Sequence, residues 1–460
     1  MNYLREDTIA ALSTAAGKSA IAVIRLSGNE SFRIMNKIFK THSKSNQQVR
    51  YGYIVDETKK KDEVICTFFK SPHTYTGEDL IEISVHGNPV IINEVLTLLY
   101  KNGARPAEPG EFTYRAFLNG KIDLAEAEAV CALIVSKTKT SAKVALNNIS
   151  GELSLKIKNI RDSLTNLVAF MEVSLDHPDE NIMFLSLNEK FSRLDSCIND
   201  VQDLLNFYKT SKILQHGVKV VIIGKPNVGK SSLLNTILGK NRAIVTDIAG
   251  TTTDTIEETI DCHGVPLTII DTAGIRNHTN NSIEFLGQKR TKEVVSEADI
   301  LVWLFDSSCE LDKNDIEIAN FLEKSNLVAP IIGILNKSDL YQKLSFTNIS
   351  KSLKLTFFAF LSLSAKTETG VAELLKEIDK FSGVSDSKND YLMINSRHYS
   401  LLQNALESLI KTKQTLSIQN ADEIACFEAV NAQRALNEIL GINVTQDILD
   451  TIFSTFCIGK

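Results

Sequence analysis

At 460 residues the chain is too long for one ordinary domain, and its length points to roughly three. Its 43% apolar residues can fill complete cores, its 23% charged residues are ordinary for a soluble protein, and no apolar run approaches the ~20 residues of a membrane span. A net charge of −6 argues against a surface that grips many nucleic-acid phosphates, so an RNA role requires a local basic patch or a partner that carries the RNA.

Seven cysteines are scattered along the chain with no CxxC and no Cys/His cluster, which points to reduced thiols rather than structural zinc or a disulfide framework. The opening segment Met1-Asn2-Tyr3-Leu4-Arg5-Glu6-Asp7 lacks a signal-peptide pattern, so a cytoplasmic location is expected. Residues 1–119 alternate β-rich runs (7–12, 20–26, 64–69, 80–85) with helical ones (31–39, 89–100), as in an α+β domain. Within them, Thr76-Gly77-Glu78-Asp79 and Pro109-Gly110-Glu111-Phe112-Thr113 read as shaped turns.

Residues 120–213 are helical in pattern. Ile160, Leu164, Leu167, Val168, Met171 and Leu175 make one core stripe, and Leu194, Cys197, Ile198, Val201, Leu204, Leu205 and Tyr208 a second, with His177-Pro178-Asp179 breaking the pattern between them. Residues 214–381 alternate β and α as a doubly wound sheet does, with strands expected at 218–223, 255–262, 266–271, 299–305, 329–335 and 358–363. A polar linker begins at Ser382, and helical periodicity returns through Leu402, Leu406 and Leu409, then Ala432, Ala435, Leu436 and Ile439. The expected fold class is therefore multidomain α/β. An N-terminal α+β domain precedes a helical domain (120–213 and 382–460) into which a P-loop domain is inserted.

The inserted segment carries the chemistry. Gly224-Lys225-Pro226-Asn227-Val228-Gly229-Lys230-Ser231 stands between the apolar run 218–223 and a helical run that starts with Ser232. Strand, glycine loop and helix are the setting a phosphate cradle requires, because backbone N–H groups and the helix N-terminus then face the phosphates. Lys230 would reach the β- and γ-phosphates, and Ser231 would ligate Mg²⁺. Asp271-Thr272-Ala273-Gly274 ends a second strand, where the carboxylate can hold Mg²⁺ through water and the glycine amide can sense the γ-phosphate. Asn336-Lys337-Ser338-Asp339 follows a third. The Asp339 carboxylate can accept the ring N–H and the exocyclic amine of guanine, a pair that adenine lacks, and Ser364-Ala365-Lys366 backs the base. Together these specify a GTPase rather than an ATPase.

Between loop and DxxG lies Thr246-Asp247-Ile248-Ala249-Gly250-Thr251-Thr252-Thr253-Asp254, where a threonine can complete the Mg²⁺ shell while the γ-phosphate is present. Ras-type GTPases place a water-orienting glutamine after DxxG, and here that residue is Ile275. Asn227 is either a ligand for a monovalent cation or an ordinary turn asparagine.

Beyond these shared motifs, the chain resembles the MnmE (TrmE) family of tRNA-modification GTPases along its whole length. The resemblance rests on Thr76-Gly77-Glu78-Asp79, on the run from Pro109 to Lys121, on Asp123-Leu124-Ala125-Glu126-Ala127-Glu128, on Thr246 to Thr252, and most specifically on the terminal Cys457-Ile458-Gly459-Lys460. It implies a homodimer that binds a methylene- or formyl-tetrahydrofolate derivative. It also implies a complex, heterotetrameric or larger, with MnmG, a flavin- and NADH-dependent protein. Together the two install (carboxymethyl)aminomethyl groups on the wobble uridine of certain tRNAs, with GTP hydrolysis stimulated by potassium. No membrane is implied.

By motif match, Asn227, Thr246, Ile248 and Thr251 resemble the K⁺ ligands, and Ser231 and Thr252 the Mg²⁺ ligands. Glu284 resembles the glutamate that orients the catalytic water. Arg25, Glu82, Lys121 and Lys460 match the folate-site positions. Cys457 matches the family cysteine, for which a catalytic role and a merely packed thiol both stay open. The remaining expected GTP contacts are Val228, Gly229, Lys230, Ser232, Asp247, Ala249, Gly250, Thr272, Ala273, Gly274, Asn336, Lys337, Ala365 and Lys366. Thr253 departs from the pattern, standing where the family usually has arginine. The alternative is a regulatory GTPase of ribosome assembly without one-carbon chemistry, which would have no use for folate-site residues and would be expected to carry a basic RNA-binding module.

Overall fold

Alternation of apolar and polar residues in the first hundred positions builds a sheet with two different faces. In the computed structural model, which describes residues 7–42, 47–176, 185–240, 257–271, 289–325, 329–384, 391–418 and 421–460, the strands are β1 (Thr8–Leu12), β2 (Ile21–Ser27), β3 (Phe39–Thr41), β4 (Val49–Asp56), β5 (Lys59–Phe69), β6 (Leu80–His86) and β7 (Ala104–Pro106). They form a seven-stranded sheet in the order β3-β4-β5-β6-β2-β1-β7, antiparallel throughout except for the parallel β1–β7 pair. Helices Ser31–Ile38 and Pro89–Lys101 cover one face over a core that includes Ile24, Ile34, Ile54, Ile83 and Val95. Pro89 starts its helix where a missing N–H costs nothing, and the Asn88 side chain accepts from the Val90 amide.

The opposite face is only partly covered. Cross-strand pairing places Val23, Ser84, Ile65 and Tyr51 in one row, so that Ile21, Val49, Arg25 and Glu82 share their side of the sheet. On that side Ile21, Tyr51, Val49 and Ile65 are 63, 55, 57 and 47% exposed.

The chain divides into two compact units, one of Met1–Ile134, Leu146–Gln202 and Arg397–Lys460, the other of Val135–Ala145 and Asp203–Ser396. In the first, helices Glu111–Leu118, Leu124–Val135 and Gln446–Ser454 share a core of Tyr114, Leu124, Ala127, Leu449, Phe453 and Phe456. That packing seats the end of the chain. The segment read as a turn at 109–113 is half helix: Gly110, at φ 70, is the N-cap, and Glu111 begins the helix fully buried. Buried Arg115, one helical turn on, and the partly exposed Arg105 both donate to the Glu111 carboxylate, so ion pairing rather than turn chemistry seats this residue. Of the first helical stripe, Ile160 to Met171 are buried within helix Glu152–Asp176, whereas Leu175 is 38% exposed. His177-Pro178-Asp179 and residues 385–390 lie outside the described residues.

In the second unit, β8 (Val218–Ile223), β9 (Glu257–Cys262), β10 (Val265–Asp271), β11 (Ile300–Asp306), β12 (Ile331–Asn336) and β13 (Ala359–Ser362) form a sheet in the order β13-β12-β11-β8-β10-β9. All pairs are parallel except β9–β10, a hairpin turned through His263 and Gly264 at positive φ. The six strands fall within two residues of the expected positions. Strands β10, β11 and β12 are buried at every residue, as parallel strands covered on both faces must be. Because β8 has β11 on one side and β10 on the other, strand order reverses at its carboxyl end, where an open α/β sheet binds ligands.

Candidate active site

The phosphate loop leaves β8 at Gly224. Its φ is +147, and an added Cβ would lie 2.6 Å from the Leu304 carbonyl oxygen, so only glycine fits. Gly229, at φ +98, is under the same demand, since a Cβ there would meet Asn336 Nδ2 at 2.3 Å. Asn227 occupies the left-handed region at φ 62, which asparagine tolerates better than other side-chain-bearing residues. Lys230 opens helix Lys230–Lys240 with its side chain buried, and its Nζ donates to the Gly224 and Lys225 carbonyls at 2.8 Å each. The ammonium thus lies over the loop it serves.

Ser231 Oγ donates to Asp271 Oδ2 at 2.8 Å. Asp271 is buried at the end of β10, and a hydroxyl beside a carboxylate is the oxygen donor set that a hard divalent cation takes, so these residues fit Mg²⁺.

The guanine loop follows β12. Asn336 donates through Nδ2 to the Val228 carbonyl at 2.7 Å and accepts the Ala365 amide at Oδ1 at 3.0 Å. Ser364 Oγ donates to Asp339 Oδ1 at 2.6 Å, and this bond holds the Asp339 carboxyl below its ordinary range, ionised and ready to accept N–H donors. Thr236 Oγ1 donates to the Ala365 carbonyl at 2.9 Å and ties this segment to the phosphate-loop helix. Ser232 and Lys366 are exposed beside these elements. The fold therefore brings Asn227 to Ser232, Asp271, Asn336, Lys337, Asp339 and Ser364 to Lys366 to one end of one sheet. Thr246, Asp247, Ile248, Ala249, Gly250, Thr251, Thr252, Thr272, Ala273, Gly274 and Glu284 lie outside the described residues.

A second cluster forms in the other unit. Arg25 on β2 donates through Nε to Glu82 Oε1 on β6 at 2.9 Å, stands 5.3 Å over the Tyr75 ring, and donates through Nη1 to the Gly459 carbonyl at 3.4 Å. Lys460 is thereby brought beside Arg25 and Glu82, and burial together with the Arg25 charge pushes its ammonium below the ordinary range. Lys121 Nζ donates to the Pro72 carbonyl at 3.1 Å, so it adjoins the loop that supplies Tyr75 rather than Arg25 itself. Cys457 is exposed, not packed, and its carbonyl accepts the Gly110 and Lys460 amides.

Residue patterns alone missed Tyr75, the Asp306–Lys337 ion pair at 2.5 Å, and the largely buried Glu128 carboxylate held by Arg397 and His398. Each joins partners far apart in sequence, and none leaves a local pattern. Among the described residues, no helix is long and apolar enough to cross a membrane.

Comparison with known proteins places the whole chain in one family. The family model described as MnmE helical domain matches residues 124–457, and that described as GTP-binding protein TrmE N-terminus matches residues 8–121. The tRNA modification GTPase MnmE of Endomicrobium trichonymphae is 72% identical over 460 residues, covering all of both chains. The proteins of that name from Aquifex aeolicus and Clostridioides difficile are 41% and 40% identical, each over 99% of this chain and at least 99% of its own length. With family models matching residues 8–121 and 124–457, and with relatives that match it from end to end, the chain belongs to the MnmE (TrmE) family of tRNA modification GTPases.

Proposed function

We propose that the chain hydrolyses GTP in the service of tRNA modification. With MnmG as its flavin- and NADH-dependent partner, in a heterotetramer or larger complex, it installs (carboxymethyl)aminomethyl groups on wobble uridine. One observation carries this reading: a single chain holds both the Asp339–Ser364 guanine loop and the Arg25–Glu82–Lys460 cluster. An assembly GTPase has a use for the first and none for the second.

When bound, a methylene- or formyl-tetrahydrofolate supplies the one-carbon unit. Arg25 and Lys460 offer cations for its carboxylates, and Glu82 offers an acceptor for its ring N–H groups. Lys121 adjoins the same loop. Cys457, exposed on the same C-terminal segment, is the thiol available to this chemistry.

At the nucleotide, Lys230 and the loop amides bind phosphate, and Ser231 with Thr252 completes the Mg²⁺ shell. Asn227, Thr246, Ile248 and Thr251 hold K⁺, and Glu284 orients the attacking water. The left-handed backbone of Asn227 supports its part of that set. The uncovered apolar residues Ile21, Val49, Tyr51 and Ile65, on the same sheet face as Arg25 and Glu82, support a homodimer. The net charge of −6 supports tRNA being carried largely by the complex, in the cytoplasm.

The test is depletion of the protein, mass-spectrometric quantification of wobble-uridine nucleosides in bulk tRNA, and add-back of wild type or Asp339→Asn. Loss of the aminomethyl-type nucleosides, restored by wild type alone, is expected. An unchanged nucleoside profile would overturn the proposal and favour a ribosome-assembly GTPase.

A further inference from the structure

The phosphate loop is also held from outside. Lys225, its second residue, extends its ammonium to the start of helix Lys313–Lys324, donating to Asp315 Oδ2 at 2.8 Å and to Asp312 Oδ2 at 3.0 Å. The Lys225 side chain is 12% exposed and that of Asp315 1%, so the Asp315 pair is not the solvated pairing that contributes little at a surface, whereas Asp312, at 47%, faces solvent. Without the ammonium, a buried carboxylate would lose its counter-charge.

Both acceptors stand on a fixed element. Asp312 Oδ1 accepts the Asn314 and Asp315 amides, and Asp315 Oδ2 accepts the Asp312 amide, forming the capping box of that helix. The loop end of Lys225 is equally engaged, because its carbonyl is one of the two on which Lys230 Nζ rests. One residue thus connects a helix start, through its side chain, to the phosphate lysine, through its backbone. The connection that precedes this helix grips the guanine loop as well: Asp306 pairs with Lys337, and Ser307 Oγ donates to the Lys337 carbonyl at 3.0 Å.

We propose that Lys225 is a positioning residue for guanine-nucleotide binding, its ion pairs to Asp312 and Asp315 holding the phosphate loop in the shape that receives phosphate. A glycine loop free at this corner would have to be ordered by each nucleotide that binds, at a cost in affinity. That cost falls alike on GTP, on GDP and on the transition state, so it raises KM and the GDP Kd and leaves kcat alone. The inference rests on GTP binding and needs neither the folate nor the partner reading.

The experiment compares Lys225→Met and Lys225→Arg in the full-length chain, measuring GTP KM and kcat together with GDP affinity by titration. Lys225→Met is expected to raise KM and the GDP Kd about tenfold with kcat within about twofold of wild type, and Lys225→Arg to recover most of the loss. Unchanged KM and GDP Kd, a fall in kcat at constant KM, or equal impairment in the arginine variant would each overturn the proposal. Should Lys225→Met fail to fold, as read from the single tryptophan, Trp303 on β11, Asp312→Asn replaces it. Asparagine keeps the capping oxygen while withdrawing the charge. A severalfold rise in KM at constant kcat is then expected, and an unaltered KM overturns the proposal. Absence of GTP turnover in wild type would instead strike at the proposed activity, so the two failures are distinguishable.

Discussion

Asn336, at the end of β12, donates its side-chain amide to the carbonyl of Val228 in the phosphate loop, 2.7 Å away. Its Oδ1 meanwhile accepts the Ala365 amide, so one buried side chain holds the phosphate loop and the segment behind the base together. Asn336→Ala leaves a carbonyl and an amide unsatisfied, each at about 1–3 kcal/mol. GTP and GDP affinity should both fall by roughly tenfold or more. Asn336→Asp keeps the volume but turns a second oxygen toward the Val228 carbonyl, and should be at least as damaging. Titration with a fluorescent guanine nucleotide checks both, and undiminished affinity in the pair would make the bond incidental.

Asp339 offers two acceptors, with Ser364 holding one oxygen in place. Asp339→Asn exchanges one acceptor for a donor, which clashes with the exocyclic amine of guanine and complements the carbonyl that xanthine has there. The variant should lose GTP affinity on the order of 100-fold or more and accept xanthosine triphosphate in its place. Competition between the two nucleotides measures this directly; retained GTP preference would remove Asp339 from base recognition.

How far such sites are legible in a sequence depends on how local their chemistry is. Lys230 and Ser231 could be read because a phosphate loop is one continuous segment between a strand and a helix. The strands expected at 218–223 and 299–305 could be read because burial on both faces favours predominantly apolar runs. Lys225 gave no such sign, since its partner Asp315 lies 90 residues on. Glu128 and Arg397 meet across 269 residues, and only the folded helices show it. Arg25 and Glu82 were reached through family resemblance, not spacing, and the register of β2 against β6 is what makes them neighbours. Strands β3, β4 and β7 fall outside the expected β-rich runs: β3 and β7, at three residues each, are too brief for alternation to register, and β4 carries Gly52, which weakens a strand pattern.

Gly459 lets the chain end reach Arg25. Its φ is +91, and a Cβ would lie 2.2 Å from the Leu12 carbonyl oxygen, which is backbone and cannot step aside. Gly459→Ala should therefore unseat Lys460, as deletion of Lys460 removes it. Both variants should bind 5-formyl-tetrahydrofolate at least about tenfold more weakly than wild type while GTP turnover is unchanged. Calorimetry decides; wild-type affinity in both variants would detach the terminal residues from the proposed folate site.

The C-terminal helices meet the rest of their unit at Glu128, which accepts Arg397 through both carboxylate oxygens at 2.9 and 2.6 Å and His398 Nε2 at 2.6 Å. Arg397 also donates to the Glu438 and Ile439 carbonyls, closing the end of helix Asp422–Ile439. Burial alone would push the Glu128 carboxyl up, but the charges and hydrogen bonds of His398 and Arg397 bring it down from 4.5 to about 2. A carboxyl depressed on folding stabilises fully above its unfolded value and loses that contribution as pH falls through the folded one. Helical stability should therefore decline between about pH 4.5 and pH 2, by on the order of 3 kcal/mol from this group. Glu128→Gln removes the titration and leaves Arg397 without its counter-charge, so it should cost about that much at neutral pH and converge on wild type in acid. Urea unfolding followed by far-ultraviolet circular dichroism across this range distinguishes the cases: converging curves assign the acid sensitivity to Glu128, and parallel ones place it elsewhere.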